Sequence, residues 1–272
     1  MRLLHTPPLD GAPNMALDEA LLSRARLTDT VTVRVYTWAR PTLSFGRHQS
    51  ARGAYDPARA AALGLDVVRR PTGGRAVLHA RELTYSVAAP TDALSPLGAP
   101  LGLAYARITA MIADALATLG VNVAPATAAG RARRPDAAPC FDAPAPGELV
   151  ARADPDAHPR KLVGSAQWRE DGALLQHGSI LIDDDQGMLA SCTMGPPNAP
   201  VTRPATLGGL LGRTPATEEV ATAVLDAARR LGASLGVAVG QVENAGSDDQ
   251  ALQDEVARLL PRYRDPVWTW RR

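Results

Sequence analysis

Few residues in this chain could carry nucleophilic or proton-transfer chemistry: two cysteines, Cys140 and Cys192, five histidines and one lysine, Lys161. All other members of the 29 Lys and Arg residues are arginine. Arginine replaces lysine as a surface charge but not where an amine must release a proton. Lys161 is therefore either a chance survivor of compositional drift or a functional amine. Cys140 lies in Pro139-Cys140-Phe141-Asp142-Ala143-Pro144, within a stretch without periodicity, where a loop thiol beside a cation would be reactive. Cys192, in Ser191-Cys192-Thr193-Met194, has no such setting and reads as structural.

The richest segment runs from Arg69 to His79 and holds Pro71-Thr72-Gly73-Gly74. Glycines at a strand end let a backbone approach a ligand closely, and neighbouring arginines clamp carboxylate or phosphate. A plain Gly-Gly turn with solvated arginines explains the same residues. The segment is neither a phosphate loop of the Walker type nor a dinucleotide fingerprint. His79 and His177 fall within strand patterns, each a base or a satisfied core histidine. No histidine–cysteine spacing matches a metal site.

The elements that must position these residues follow from periodicity and capping. Asn14 reads as an N-cap, with a helix over 15–26 and Asp18 and Glu19 in its first turn. Strands are predicted over 32–38, 43–45, 66–70, 76–79 and 83–87, and helices over 57–63, 101–119, 217–235 and 248–260. Residues 125–160 read as one long loop. Segments 161–169 and 173–182 flank Glu170-Asp171-Gly172 as a hairpin. Pairing Arg169 with Ala173 would put Lys161, Ser165, Gln167, His177 and Ser179 on one polar face. Leu162, Ala166, Trp168, Leu174, Ile180 and Ile182 would then form the apolar face. Short paired strands between helices predict an α/β (α+β) fold with mixed, largely antiparallel sheets, not a doubly wound parallel sheet.

The 272 residues are 46% hydrophobic and 21% charged, with net charge +1. That balance excludes a general nucleic-acid binder and a charged disordered tail. No apolar run has transmembrane length, and no signal peptide is visible. Two cysteines without a secretion signal read as reduced thiols of a cytoplasmic protein.

Taken in order, the segments 14–22, 34–38, 69–79, 82–87, 140–144, 161–167 and 175–181 resemble the biotin/lipoate protein ligase superfamily. They are most similar to the cysteine-dependent octanoyltransferases of protein lipoylation. The resemblance covers a motif-bearing core, 14–185, of what reads as a single acyltransferase domain, 1–272, with a helical C-terminal part at 217–263. It implies transfer of octanoyl from octanoyl-acyl carrier protein to a lysine of a lipoyl-domain protein. The acceptor would be a glycine cleavage H protein or a 2-oxoacid dehydrogenase E2. Cys140 would be the acyl acceptor and Lys161 its catalytic partner. Arg70, Gly73, Gly74 and His79 would line the acyl pocket, and Gly164, Ser165 and His177 would complete the substrate site. No cofactor, metal, nucleic acid or membrane is expected. An ATP-dependent lipoate–protein ligase and an amidotransferase moving octanoyl between lipoyl domains are the rival activities. The sequence departs from the family pattern at Ala80, where an acidic residue is usual, and at Ala145-Pro146-Gly147, in place of an aromatic stretch.

Overall fold

The structure is a computed structural model that describes residues 1–92, 95–98, 100–127, 140–142, 144–152, 158–194, 203–244 and 249–271. Pro139 and Ala143 of the cysteine motif lie outside the described residues. The chain begins with β1 (Arg2–His5), α1 (Gly11–Thr28) and β2 (Thr32–Tyr36). Next come β3 (Thr42–Phe45), α2 (Pro57–Ala62), β4 (Asp66–Arg69), β5 (Val77–His79), β6 (Glu82–Pro90) and α3 (Leu101–Thr118). The stretch read as a loop contains β7 (Ala124–Pro125), a 3-10 turn at Cys140–Asp142 and β8 (Leu149–Ala151). The hairpin is β9 (Arg160–Glu170) and β10 (Ala173–Leu181). It is followed by α4 (Met188–Cys192), α5 (Leu207–Leu211), α6 (Thr217–Ser234), β11 (Val242–Asn244), α7 (Gln250–Arg264) and α8 (Pro266–Thr269).

Among the described residues, one eight-stranded sheet runs β11-β1-β2-β6-β10-β9-β8-β7 and a three-stranded sheet runs β4-β3-β5. β1 is parallel to β2 and β11, and β3 is parallel to β4; the other ladders are antiparallel. The mixed, largely antiparallel α/β architecture expected from the sequence is thus the one observed. The large sheet is covered on both faces. Val33, Leu83, Tyr85, Ile108 and Val224 pack between one face and α3 with α6. Met15, Leu21, Leu175, Leu252 and Leu259 pack between the other face and α1 with α7. β6 and β10 are consequently buried at every residue, so their polar side chains must find partners inside the protein.

Three expectations are corrected. Asp10, not Asn14, precedes the first helix, which starts at Gly11. Asn14 is buried inside it, donating through Nδ2 to the carbonyls of Leu9 and Thr37. Asp18 is not a solvated first-turn charge: its carboxylate pairs with Arg34 at 2.7 Å, and both side chains are fully buried. It also accepts from the Tyr36 and Ser86 hydroxyls, both at 2.8 Å. Most of the helix, from Asn14 to Leu22, is buried between sheet and α7, so a charge on this face is kept only by partners.

The hairpin register is shifted by one residue. Ala173 pairs with Glu170, His177 with Ala166 and Gly178 with Ser165. The loop is the two residues Asp171 and Gly172, at φ 44° and 81°, which is what a primed Asp-Gly hairpin turn requires. Because side chains alternate, that shift redistributes the faces. Leu174 and Ile180 join the α3–α6 core as expected, but Trp168 packs against the opposite one. Lys161 would then fall with Val163, away from His177. A register irregularity opposite Leu149 and Val150 reverses this: Val163 pairs with Leu149 and Lys161 with Val150, leaving Leu162 as an extra residue. Leu162 and Val163 both sink into the α3–α6 core. The bulge re-aims Lys161 to the side of Gly164 and the cysteine turn.

The buried Asp18–Arg34 pair generates a test. Asp18→Asn leaves the Arg34 guanidinium buried without its counter-charge, and chemical unfolding should show a loss of about 3–5 kcal/mol at pH 7. Burial alone pushes the Asp18 carboxyl up, but Arg34 with the His177 and Ser86 hydrogen bonds pulls it below the ordinary carboxylate value. A depressed acid contributes stability above its unfolded pKa, and that contribution is lost as pH falls. The gap between wild type and Asp18→Asn should therefore close below about pH 4. A gap of constant size down to pH 2 would show that the carboxylate charge is not what the site uses.

Candidate active site

The nine residues singled out as catalytic or substrate-binding line one cavity of about 540 Å³: Cys140, Lys161, Arg70, Gly73, Gly74, His79, Gly164, Ser165 and His177. That volume is in the range of small-molecule sites. Met15, Tyr36, Trp38 and Val77 add apolar and aromatic wall.

Cys140 is not on a free loop. It starts the 3-10 turn, its amide donates to the Ala76 carbonyl at 2.9 Å, and Phe141 anchors the turn among Val77 and Leu181. The thiol is half-buried. Lys161 is 2% exposed. Its Nζ lies 3.2 Å from Cys140 Sγ and 2.8 Å from the Cys140 carbonyl oxygen. The third partner, at 2.7 Å, is the Glu148 carboxylate, itself 5% exposed. Nζ also stands 4.9 Å from the Phe141 ring centroid. Three acceptors around one nitrogen match the three protons of an ammonium; a neutral amine would aim a lone pair at one of them. Lys161 Nζ thus has all three of its donor directions taken, one of them by the sulfur. Cys192, by contrast, is fully buried beside Leu189, and burial pushes its thiol up.

The loop after β4 is held from within. Arg70 donates to the Ser44 hydroxyl and carbonyl at 2.6 and 2.9 Å and to the Gly73 and Arg75 carbonyls at 3.1 and 2.9 Å. It shapes the wall instead of waiting as a solvated anion clamp. Gly74 has φ 93°, and its carbonyl packs so closely on Gly46 that a Cβ there would lie 2.0 Å from it. Residues at both positions must be glycine for the loop to hug β3.

Both candidate histidines are satisfied wall residues. His79 stacks on Trp38 at 4.1 Å, with Nε2 2.6 Å from Ser44 Oγ and Nδ1 3.2 Å from Glu82. His177 has Nε2 2.5 Å from Thr72 Oγ1 and Nδ1 3.2 Å from Asp18. Burial pushes both below the ordinary histidine value against the pull of Glu82 and Asp18, so both are neutral at pH 7. Nδ1–H donates to the carboxylate and Nε2 accepts from the hydroxyl. Ser165 reaches the wall, but its hydroxyl is engaged 2.7 Å from that of Tyr85.

Sequence reasoning missed Glu148, because it lies in the stretch without periodicity. Its signal was weak: one acid beside the apolar Leu149-Val150-Ala151, which becomes strand β8. Asp18 and Glu82 were missed as site supports because nothing local distinguishes them from surface acids.

A mixed sheet with a cysteine turn, a bulged lysine strand and an Arg-Gly-Gly loop around one apolar cavity defines a class. Residues 10–229 match the lipoyl protein ligase A/B catalytic domain family, and the chain belongs to that family. It is 35% identical to octanoyltransferase LipM of Kyrpidia tusciae over 285 aligned positions, covering 100% of this chain and 98% of that one. It is 34% identical, over the same shares, to octanoyltransferase LipM of Exiguobacterium sibiricum. A solved structure of a bi-partite lipoate protein ligase and its E2 lipoyl domain from Thermoplasma acidophilum shares the fold, with TM-score 0.76 and 19% identity over 99% of this chain and 95% of that one. Within the family, the chain is an acyltransferase of the octanoyltransferase kind.

The crowding at Gly164 gives a direct test of the lysine geometry. A Cβ there would meet Lys161 Cε at 3.1 Å, Phe141 Cζ at 3.2 Å and Lys161 Nζ at 3.3 Å. Gly164→Ala should displace Nζ from the sulfur and slow acyl transfer about 10²-fold, while the melting temperature changes by a few degrees at most. Wild-type rates in a folded Gly164→Ala protein would show that the Nζ position is not critical.

Proposed function

We propose that the enzyme moves octanoyl from octanoyl-acyl carrier protein to a lysine of a lipoyl-domain protein through a thioester on Cys140. The observation that carries the reading is the Lys161 ammonium 3.2 Å from Cys140 Sγ on the wall of the cavity. An ammonium beside a thiol favours the thiolate, which is the nucleophile.

The resting pair is thiolate and ammonium. The sulfur attacks the donor's thioester carbon; the new S–C bond forms as the carrier's S–C bond breaks. The departing carrier thiolate takes a proton from Lys161, leaving an acyl-enzyme beside a neutral amine. The acceptor lysine, as free amine, then attacks the Cys140 thioester. Its N–C bond forms, Cys140 leaves as thiolate, and the surplus amine proton passes to Lys161, restoring the resting pair. Exchange between thioesters is nearly isoenergetic, and amide formation draws the second step forward. Arg70, Gly73, Gly74, His79, Gly164, Ser165 and His177 serve as wall, with Trp38 and Met15 giving the acyl chain apolar surface.

The acceptor class is a lipoyl domain, such as a glycine cleavage H protein or a 2-oxoacid dehydrogenase E2. The similarity to a ligase studied with its E2 lipoyl domain supports this. Residues 1–272 act as one domain in this reading, since α6 and α7 of the C-terminal part cover opposite faces of the sheet that bears the motifs. The enzyme works in the cytoplasm; no described helix is long and apolar enough to cross a membrane.

Incubation with octanoyl-acyl carrier protein alone, without ATP or metal, should give an octanoyl adduct that peptide mapping places on Cys140. Adding an apo lipoyl domain should discharge it. An adduct on Cys192, or activity only with free octanoate and ATP, would overturn the reading in favour of a ligase. Charging from an octanoylated lipoyl domain but not from the carrier protein would favour an amidotransferase.

A further inference from the structure

We propose that Glu148 is the positioning residue of the reacting pair, holding Lys161 as an ammonium with one N–H fixed on the Cys140 sulfur. The proposal rests on Cys140 and Lys161 being that pair.

A buried ammonium costs several kcal/mol to desolvate unless a counter-charge and hydrogen bonds compensate. Among the described residues, the cavity offers Lys161 one carboxylate, that of Glu148, whose two oxygens lie 2.8 and 2.7 Å from Nζ. Glu148 is in turn fixed by backbone. Its Oε2 accepts from the Ala145 amide at 2.7 Å, and its own amide donates to the Ala145 carbonyl at 3.1 Å. Its chain neighbour Leu149 pairs with Val163 in β8–β9. The strand fixes where the side chain starts, and the Ala145 amide with Lys161 Nζ fixes where its carboxylate ends.

Of the three Nζ protons, one meets Glu148 and one the Cys140 carbonyl, which leaves the third for Sγ. The ion pair thus does two things at once. It sets the charge of Lys161, and it sets the direction of the proton that meets the thiolate. The arrangement has the logic of a nucleophile, a base and a third group that orients the base, with an amine in the middle position.

A structural counter-ion and a positioning residue differ in what a charge-conserving substitution does to turnover, and a pH profile shows whether the charge was kept. Alkylation of Cys140 by iodoacetamide, followed by peptide mapping, needs no acyl donor. In wild type its rate should rise in two steps with pH, the first as the thiol ionises beside the ammonium, the second when the ammonium gives up its proton. In Glu148→Gln the counter-charge is gone, and the second step should move to lower pH by about one unit or more. Glu148→Asp keeps the charge and should keep the second step where wild type has it. The shorter side chain holds Nζ less well, so octanoyl transfer by Glu148→Asp should lose kcat with little change in KM. A Glu148→Gln profile superimposable on wild type, or equal shifts in both variants, would overturn the proposal. Should Glu148→Gln fail to fold, Glu148→Asp decides alone: an unchanged kcat overturns the proposal, and a reduced kcat with wild-type melting and alkylation supports it. Absence of octanoyl transfer in wild type would overturn the function proposed above and leave the alkylation test of Glu148 intact.

Discussion

A single buried cation governs the architecture around this cavity. The Lys161 ammonium cannot sit dry without acceptors, and two separate pieces of chain supply them. The cysteine turn gives a carbonyl and a sulfur, the residue that leads into β8 gives the carboxylate, and the bulge at Leu162 turns the amine toward both. The cysteine turn is anchored independently, by Phe141 in its apolar pocket and by the Cys140 amide on Ala76. The sulfur is thus delivered to the cation by packing, and the cation to the sulfur by charge.

The opposite wall repeats the principle with a second buried charge. Asp18 ties helix α1 to three strands through Arg34, Tyr36, Ser86 and His177. Glu82 does the same on a smaller scale for Trp38, His79 and Thr84. Each carboxylate fixes a neutral imidazole in one tautomer and leaves no proton free to shuttle. The wall is polar in composition, and both of its imidazoles are held between a carboxylate and a hydroxyl. Apolar surface for an acyl chain survives between the networks, at Met15, Trp38 and Val77.

How much of this the sequence disclosed depends on the range of the interaction. The hairpin was legible because Asp171-Gly172 is a local turn signal, and the residues that line the cavity because they sit in segments whose order resembles that of a family. The register slipped by one because the turn's length is a backbone property, not a composition. The bulge was illegible for the same reason: nothing in Lys161-Leu162-Val163 says that two apolar neighbours will face the same core. Asp18 in the helix read only as a dipole-favoured first-turn acid, since its partner Arg34 lies on a strand beyond the helix end and only the folded sheet brings them together. Glu148 hid in an aperiodic stretch whose short strand forms by pairing with the distant β7 and β9.

The central claim is that an amine able to give and take a proton, not merely a positive charge, stands beside Cys140. Single-turnover octanoyl transfer by Lys161→Arg tests it most directly, with acyl-enzyme formation and discharge followed separately. Arginine keeps the charge but stays protonated, and its planar fork does not present three protons from one nitrogen. The account predicts that both half-reactions slow by about 10²–10⁴-fold in a protein that melts like wild type. Wild-type rates in both half-reactions for Lys161→Arg would contradict it and reduce Lys161 to a fixed charge.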